Sequence, residues 1–494
     1  MYYIGYDIGS SSVKVAIIEA ATGKSIISLN EPSSEMPIEA PQLNWAEQNP
    51  NMWWQYACVA TKRAIKDARI DASKISGIGI SYQMHGLVIV DVQGEPLRNS
   101  IIWCDSRAVE IGNKAFNELG EDQCMAHLLN SPGNFTASKL KWVRDNEPEV
   151  YSKIHKYMLP GDYMAYKLTG VINTTKNGLS EGMLWDYKTD RVADWLLEYY
   201  AIDTSLTPEI VENFATQSTV NEKGALETGL PEGIPIVYRA GDQPNNALSL
   251  NVFNHGEAAT TGGTSGVVYT VTNKKKSKEP LRINHFAHVN YSADNQNLGK
   301  LLNINGAGIQ FRWLKDNMAA NSYEEMNEKA RNVPIGSEGL CLIPFGNGAE
   351  RMLNNRVLGT HISNLNLNKH SDAHIYRAAL EGIAFSFVYG MDILKNDNAE
   401  INVIRAGNDN LFRSDIFSNT VATLIGHDIE IYNTTGAIGA ARAVGLTDGD
   451  FKKFGEHITA NDHVMTYKPL KNVDEYQKAY ELWKKELEML LEKK

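Results

Sequence analysis

Cysteine is scarce in this sequence, which has only four in 494 residues. They lie far apart, and no two of them form a C-x-x-C pair: Cys58, Cys104, Cys124 and Cys341. Neither a disulfide framework nor a thiolate zinc site is therefore expected. This cysteine usage indicates a reducing compartment.

Long apolar runs are also missing, and none reaches the roughly 20 residues that a membrane-spanning helix needs. Residues 1–7 lead straight into a short apolar strand and lack the charged and then apolar layout of a signal peptide. We therefore expect a cytoplasmic protein that does not bind membranes.

Positive charge is in deficit, since 48 Lys and Arg stand against 59 Asp and Glu and the formal net charge is −11. Such a balance disfavours binding to nucleic acid or to anionic membranes. It also gives no long-range attraction to an anionic substrate, so a neutral substrate fits better. The composition, 43% hydrophobic and 22% charged, is that of a globular protein, and the length predicts two or three domains.

A P-loop for nucleotide phosphates is absent as well. The pattern G-x-x-x-x-G-K-[ST] needs a glycine five residues before Gly23, and that position is Ile18. A phosphate site in this chain must therefore use a different turn.

A glycine turn between two predicted strands, Tyr2 to Ile8 and Val13 to Ile18, is the alternative phosphate site. Its backbone N–H groups, hydroxyl groups and one ammonium group could hold phosphate oxygens, and the carboxylate before it could hold Mg²⁺ through water. The candidates are Asp7, Gly9, Ser10, Ser11 and Lys14. Taken alone, an ordinary hairpin turn explains the same pattern.

The same pattern of strand, glycine turn and strand returns past the midpoint, over Glu257 to Thr261, Gly262 to Gly266 and Val267 to Val271. Two similar hairpins indicate two halves of related design, and we predict domains over residues 1–245 and 246–494. One turn from each half could then clamp the phosphates of a nucleotide.

Polar residues follow two further predicted strands. Ile75 to Tyr82 is followed by Gln83-Met84-His85-Gly86, and Ile234 to Arg239 is followed by Ala240-Gly241-Asp242-Gln243. Polar groups at strand ends are typical of a binding site. From the residues alone, a turn-forming aspartate and a structural histidine are the plainer interpretations.

Together these motifs resemble the FGGY family of carbohydrate kinases, which belongs to the actin-like ATPase superfamily. The likeness rests first on Asp7 to Ser11, the turn Gly263 to Gly266 and the AGDQ segment around Asp242. It extends, in the family's order and spacing, to Asn44–Pro50, Gln83–Gly86 (QMHG), Trp103–Arg107, Pro132–Lys139, Leu159–Tyr163 and Arg377–Ile383. Within the family, the xylulokinases carry the most similar motifs.

The resemblance implies an α/β fold of two ribonuclease H-like domains, as in actin-like ATPases, flanking a catalytic cleft. It implies a kinase that uses ATP and Mg²⁺ to phosphorylate a small sugar, and homodimers are common in the family. Asp242 would be the general base and would hold the metal ion together with Asp7. The implied sugar-binding residues are Met84, His85, Gly86, Asp105 and Asp242. The implied phosphate-binding residues are Asp7, Gly9, Ser10, Ser11, Lys14, Gly263, Thr264, Ser265, Gly306, Gly407 and Asn408.

Two segments depart from the family pattern. The adenine-side loop, Arg405 to Leu411, keeps only Gly407 and the small polar residues that follow it. The family's GERxP element appears as Gly348 to Leu353, with an inserted alanine and no proline. Nucleotide contacts at these two segments therefore stay open.

The expected reaction is the conversion of D-xylulose to D-xylulose 5-phosphate, and the alternatives are other polyols, ketoses or sugar acids such as ribulose, glycerol and gluconate. Gln243 after Asp242 is shared with glycerol kinases, whereas the QMHG segment argues against glycerol. An actin-like nucleotide switch is an alternative from another class. It would leave Asp242 and the QMHG segment without a hydroxyl substrate to serve.

Overall fold

The computed structural model describes residues 1–318 and 320–492. Contacts between Cα atoms divide the chain into two compact units, each assembled from three segments. The first unit contains Met1–Phe253, His285–Leu298 and Thr434–Asn461, and the second contains Asn254–Asn284, Gly299–Asn433 and the segment from Asp462 onward. The predicted domain boundary at residue 245 stays a prediction.

Strands and helices alternate through both units. In chain order the strands are β1 (Tyr2–Ile8), β2 (Val13–Glu19), β3 (Ser25–Glu31), β4 (Glu47–Gln48), β5 (Ile75–Tyr82), β6 (Val88–Val90), β7 (Ser100–Ile101), β8 (Lys156–Met158), β9 (Asn173–Thr175), β10 (Trp185–Asp186), β11 (Arg191–Val192), β12 (Glu209–Val211), β13 (Ser218–Thr219), β14 (Pro235–Gly241), β15 (Glu257–Gly262), β16 (Gly266–Thr272), β17 (Asn284–Ala287), β18 (Leu298–Ile304), β19 (Cys341–Glu350), β20 (Arg356–Ser363), β21 (Val403–Gly407), β22 (Ile429–Tyr432) and β23 (His463–Tyr467). The helices are α1 (Pro50–Ala68), α2 (Val109–Leu119), α3 (Glu121–His127), α4 (Thr136–Asn146), α5 (Pro148–Tyr151), α6 (Pro160–Thr169), α7 (Lys176–Glu181), α8 (Asp194–Tyr199), α9 (Glu222–Thr228), α10 (Asp242–Ser249), α11 (Gly308–Asn317), α12 (Tyr323–Arg331), α13 (Asp372–Asn396), α14 (Asp415–Ile425), α15 (Gly436–Ala443), α16 (Phe451–Asp462) and α17 (Val473–Glu492).

The main sheet of the first unit has the strand order β13-β14-β5-β1-β2-β3. Strands β1 and β2 form an antiparallel hairpin in which Asp7 lies opposite Lys14, so the first predicted hairpin is confirmed. Strands β1, β5 and β14 are parallel neighbours. Because parallel strands point the same way, their carboxyl ends lie at one edge of the sheet.

The second unit repeats this arrangement. Strand β15 pairs with β16 as an antiparallel hairpin and with β21 as a parallel neighbour, and β21 pairs in parallel with β22. The long helix α13 crosses its core, and most of its residues are buried. Both predicted hairpins are therefore present, and each has a parallel strand at its side.

Two helices have clear determinants in the sequence. Helix α1 begins with Pro50 after Asn49, whose side chain accepts a hydrogen bond from the Asn51 N–H. Helix α17 buries Tyr476, Tyr480, Trp483 and Leu487 along one face. Within the described parts of the chain, every helix is too short or too polar to cross a bilayer.

Glycines allow helix α15 to approach the first sheet closely. A methyl group on Gly79 of β5 would lie 1.9 Å from the Ala440 carbonyl oxygen, and one on Gly5 of β1 would lie 2.1 Å from that of Ala437. No side chain fits at either place, because these distances are far inside van der Waals contact. The small residues of β1 and β5 therefore fix the position of α15 over the strands that end at Ile8 and Tyr82.

We predict that Gly79→Ala lowers the thermal unfolding midpoint, because the new methyl group must push α15 away from β5. Overpacking of this kind costs about 1–3 kcal/mol or more. The matched control is Gly445→Ala, since a methyl group there meets only the Tyr3 ring at 3.6 Å. Circular dichroism melts should show a drop for Gly79→Ala alone, and equal midpoints for both variants would contradict this packing.

Candidate active site

The first unit presents polar residues at the carboxyl ends of three neighbouring strands. Strand β1 ends just after Asp7, β5 ends at Tyr82 and β14 ends at Gly241, directly before Asp242. Their register is aligned, because Ile8 and Gly241 both pair with Tyr82. Neighbouring strands lie about 4.8 Å apart, so Asp7 and Asp242 flank the end of β5.

Asp7 is held by its neighbours on three sides. Its Oδ1 accepts a hydrogen bond at 3.0 Å from the hydroxyl of Ser81, the residue opposite it on β5. Its Oδ2 lies 3.4 Å from Nζ of Lys14. Gly436, the first residue of α15, packs so closely that a methyl group there would lie 2.8 Å from Oδ2. The Asp7 side chain keeps 13% exposure, so part of it faces solvent.

Asp242 is the first residue of α10 and is partly buried. Burial raises the pKa of its carboxyl group to about 7, and the negative charge of Asp7 adds to this rise. The N–H of Gln243 and the charge of Lys14 act in the opposite direction. A carboxyl group with a pKa near neutrality can accept a proton and release it again under ordinary conditions.

The turn between β1 and β2 is closed by its own backbone, because the Gly9 N–H donates to the Ser12 carbonyl at 3.0 Å. The Gln48 side chain donates to the Ser10 carbonyl at 2.7 Å, and the Trp103 indole N–H lies 3.4 Å from the Ser10 hydroxyl. Ser11 is exposed at the tip. The Ser11 carbonyl accepts the Met36 N–H at 2.8 Å, so the backbone of the turn is held at both serines while the Ser11 side chain stays exposed.

The segment Met84-His85-Gly86 lies beside the base candidate. A methyl group on Gly241 would be 2.5 Å from Met84 Cγ, so Met84 packs directly on the residue before Asp242. His85 has a φ of 62°, which is unusual for a residue other than glycine, and its Nδ1 lies 2.9 Å from the Glu181 carbonyl. Strained backbone of this kind persists where the surroundings enforce it, often at functional sites. The ring of Phe135 packs edge-on against His85, with centroids 4.7 Å apart.

The carboxylate of Asp105 is turned toward the protein. It is fully buried, accepts hydrogen bonds from Nε and Nη2 of Arg107 at 2.6–3.0 Å, and accepts the Ala46 N–H at 2.6 Å. The Arg107 guanidinium lies 3.8 Å from the centroid of the Trp45 ring. These contacts give Asp105 an ordering role, and its predicted contact with the sugar stays a prediction.

Lys139 supports the segment that carries His85. Its ammonium group is fully buried and donates at 2.9 Å to the carbonyls of both His85 and Ile102. Burial lowers the pKa of Lys139 to about 7, although the nearby Asp105 carboxylate opposes this change. One buried cation therefore ties the His85 segment to the chain just before Cys104.

In the second unit, the turn after β15 opens onto a cavity of about 510 Å³. Gly263 and Thr264 line one end of it, and their carbonyls accept the N–H groups of Gly308 and Ile309 at the start of α11. Phe311 and Tyr323 stack with their ring centroids 5.7 Å apart. The cavity is further lined by Arg312, Asn327, Arg331, Leu411, Arg413 and Ser414, among others.

The other predicted phosphate-binding residues of the second unit do not line this cavity as it is described. Gly306 packs against β19, where a methyl group would lie 2.3 Å from the Pro344 carbonyl. Gly407 ends β21, and Asn408 donates its N–H to the Tyr432 carbonyl at 2.8 Å. Ser265 lies in the turn next to Thr264.

Several site residues have no signal in the sequence. The lining residues of α11 and α12, Phe311 and Tyr323 among them, lie on helices whose pattern shows only amphipathicity. Glu181 becomes a neighbour of the site only through the fold, and Lys139, although it ends the Pro132–Lys139 motif, shows its contacts with His85 and Ile102 only there. Ser81 is an exception, because the parallel pairing of β1 with β5 places it opposite Asp7.

Comparison with known proteins identifies the family of this chain. The model of the FGGY family of carbohydrate kinases, N-terminal domain, matches residues 2–249, and that of the C-terminal domain matches residues 258–446. The chain belongs to the FGGY family of carbohydrate kinases.

Related proteins match this FGGY kinase over almost their whole length. It is 27% identical to the xylulose kinase of Bacillus subtilis, over 98% of this chain and 96% of that protein. It is also 27% identical to the xylulose kinase of Haemophilus influenzae, over 99% and 100%. The ligand-bound xylulose kinase of Lactobacillus acidophilus has a similar fold, with a TM-score of 0.88, 22% identity and coverage of 100% and 99%.

Membership of the FGGY family confirms the assignment made from the sequence motifs. It makes the chain an enzyme, a carbohydrate kinase whose family implies ATP as the phosphoryl donor. The predicted α/β fold of two actin-like ATPase domains is confirmed as well. The roles predicted for individual residues of this FGGY kinase stay predictions.

We predict that Lys139→Met lowers the thermal midpoint and raises the KM for the sugar about tenfold. The change leaves the buried carbonyl of His85 without its donor, at a cost of about 1–3 kcal/mol for an unsatisfied group. The Ile102 carbonyl loses one donor and keeps the Asp105 N–H at 3.2 Å. Lys141→Met is the control on the same helix, because Lys141 makes a surface ion pair with Asp145 that is worth little. Melts and steady-state kinetics that do not separate the two variants would disprove a supporting role for Lys139.

Proposed function

We propose that this FGGY kinase transfers the γ-phosphoryl group of MgATP to a hydroxyl group of a small ketose, D-xylulose, forming D-xylulose 5-phosphate. The observation that carries the proposal is the Asp242 carboxyl group, whose pKa is raised to about 7 at the end of β14. Gly241, the residue directly before Asp242, packs against Met84. A proton acceptor is thus placed beside the segment that we assign to the sugar.

In this reaction Asp242 accepts the proton of the sugar hydroxyl as that oxygen attacks the γ-phosphorus. An alcohol is a weak nucleophile, so a base within hydrogen-bond reach is needed. His85 and Met84 hold the sugar, through hydrogen bonds and through packing on its carbon chain. Asp105 and Lys139 act behind them by fixing the backbone of the pocket.

Magnesium fits the residues of the first unit. Mg²⁺ is usually held by one or two carboxylates together with substrate phosphates and water. Asp7 and Asp242 are two carboxylates close enough for the charge of one to raise the pKa of the other. When bound, the ion would neutralise charge on the transferring phosphates. Asp7 would hold it, Asp242 would face it, and Lys14 would add a positive charge.

For the nucleotide we propose two sets of contacts, one on each unit. In the first unit the turn Gly9-Ser10-Ser11 would offer the N–H groups of Ser10 and Ser11 and the exposed Ser11 side chain to phosphate oxygens, since the Gly9 N–H already closes the turn. In the second unit Gly263 and Thr264 bind phosphate oxygens. Gly306, Gly407 and Asn408 complete this set of proposed phosphate-binding residues. The stacked Phe311 and Tyr323 give an aromatic wall that suits the base.

The choice of D-xylulose rests on the names of the relatives and on charge. The relatives named above are xylulose kinases, and they align with nearly the full chain. A sugar acid is disfavoured, because its carboxylate would enter a site that already contains Asp7 and Asp242, in a protein with a net charge of −11. Glycerol and ribulose are the alternatives among neutral substrates.

The cellular compartment and the oligomeric state of the enzyme are also part of the proposal. All four cysteines are free thiols in the described residues, which supports a reducing, cytoplasmic location. A homodimer is the expected assembly from the resemblance alone.

We predict sugar-dependent release of ADP from MgATP, with D-xylulose giving the highest kcat/KM in a panel that also contains D-ribulose, L-ribulose, glycerol, gluconate and no sugar. A coupled ADP assay measures every arm under the same conditions. Omission of Mg²⁺ should abolish the signal.

A higher kcat/KM for another member of the panel would keep the chemistry and overturn the choice of xylulose. Release of ADP at the same rate with and without sugar would contradict the kinase proposal and favour a nucleotide switch. Phosphorus NMR of the product should then show phosphate instead of a sugar phosphate.

A further inference from the structure

Glu181 is a buried carboxyl group that the proposed reaction does not use. It is the last residue of α7, and its side chain is 1% exposed. Its Oε2 lies 2.5 Å from the place that a methyl group on Gly241 would occupy, as does Met84 Cγ. Glu181 and Met84 therefore pack together on the residue that immediately precedes Asp242.

Among the described residues, neither oxygen of Glu181 has a hydrogen-bond partner. The Tyr82 hydroxyl is near enough to lower the pKa of Glu181, but neither this hydroxyl nor the two carboxyl oxygens make a hydrogen bond of ordinary geometry. Burial has the larger effect and raises the pKa of Glu181 well above its usual value, with a further rise from Asp242. Burial of the side chain therefore favours the protonated form of this carboxyl group, in which one O–H can donate and the oxygens can accept.

An unpartnered polar group of this kind is costly, since native proteins pair nearly all buried polar atoms. Each one left unsatisfied costs about 1–3 kcal/mol. Other buried carboxylates of the first unit are paired: Asp105 with Arg107, and Asp162 with Arg239 at 3.1 Å. Glu181 is exceptional beside them, and it lies next to the residues assigned to the sugar.

The backbone of Glu181 points to the same pocket. Its carbonyl oxygen lies 2.9 Å from Nδ1 of His85. One residue thus orients the ring of His85 through its backbone and places a carboxyl group beside Met84 through its side chain. Met84, which lies between these groups and solvent at 4% exposure, has an unbranched and adaptable side chain that can change rotamer when a ligand binds beside it.

We propose that Glu181 is a specificity residue of the sugar pocket and that its carboxyl group binds a hydroxyl group of the sugar other than the one that is phosphorylated. A sugar hydroxyl donates one hydrogen bond and accepts others, which matches a neutral carboxylic acid. A site with buried polar groups discriminates strongly against an analogue that lacks the matching hydroxyl, because its own groups are then left unpaired. This inference rests on the proposed sugar kinase function and extends it to the choice of substrate.

The test compares Glu181→Leu and Glu181→Gln with the native enzyme on D-xylulose and on its monodeoxy analogues, each lacking one hydroxyl. Glu181→Leu should raise the KM for D-xylulose about 10- to 100-fold with a smaller change in kcat. Glu181→Gln keeps a donor and an acceptor and should stay within about fivefold of the native KM. The native preference for D-xylulose over one particular deoxy analogue should fall to within about threefold in Glu181→Leu.

Tyr82→Phe is the matched control, because it removes the nearest hydroxyl and leaves Glu181 in place. It should leave the KM and the preference unchanged. Thermal melts separate a structural role from a binding role: the midpoint of Glu181→Leu should equal or exceed the native value, because the change removes a buried unpaired group. A lower midpoint with unchanged preference among the analogues would overturn the proposal, as would a native-like KM in Glu181→Leu.

Calorimetric titration of D-xylulose into the nucleotide-free enzyme separates this proposal from the proposed function. Binding that weakens in Glu181→Leu, in parallel with the KM, supports Glu181 as a sugar contact. If the native enzyme binds and phosphorylates D-xylulose but the Leu variant binds it equally well, only the assignment of Glu181 falls. If the native enzyme neither binds nor phosphorylates any sugar of the panel, the proposed function and this inference fall together.

Discussion

Removal of the Asp242 carboxyl group from water, beside the carboxylate of Asp7, is the constraint on which the site depends. A base for an alcohol needs a pKa near the working pH, and an exposed aspartate, with a pKa near 3.9, is too weak. Burial and the charge of Asp7 supply the difference and raise the pKa to about 7. Two such groups can be kept close only if the strands that carry them are held rigidly. The glycines of β1 and β5 provide this, because they let α15 pack onto the sheet with Gly436 against Asp7.

The strand ends and turns of the site could be predicted from the sequence, because they depend on local patterns. Glycine between two β-rich runs predicted both hairpins, which the structure contains. The role of Asp242 as the base was predicted from the order of the family motifs. Its raised pKa could not be predicted, since it comes from burial and from Asp7, a residue more than 200 positions away in the chain.

Contacts between residues that are distant in the chain explain the features of the site that could not be predicted from the sequence. Asp105 belongs to a recognisable motif, yet its oxygens are occupied by Arg107 and Ala46 in the folded chain. Lys139 also lies in a motif, but its bonds to the carbonyls of His85 and Ile102 span 54 and 37 residues. Glu181 lies in no motif and gains its position from the packing of α7 against β14. Such residues become visible only when distant segments are brought together.

The departures from the family pattern have a physical counterpart in the second unit. The pairing of β19 with β20 shifts register between Phe345 and Ala349, at the place where the sequence has its inserted alanine. Just beyond it, Glu350 is buried, and its carboxylate accepts the N–H groups of Asn305 and Gly306 at 2.9 and 3.1 Å. The altered element therefore still holds the turn that carries Gly306.

The role of Asp242 is tested most directly by single-turnover phosphoryl transfer in Asp242→Asn, with MgATP and D-xylulose binding measured separately by calorimetry. Asparagine keeps the size of the side chain but cannot accept the proton. We expect Asp242→Asn to bind the sugar with a Kd within a few-fold of the native value. Its rate of phosphoryl transfer should be lower by about 100-fold or more, because the general base is lost. Transfer at a rate close to the native one would contradict it, because the proton would then leave the sugar by another path.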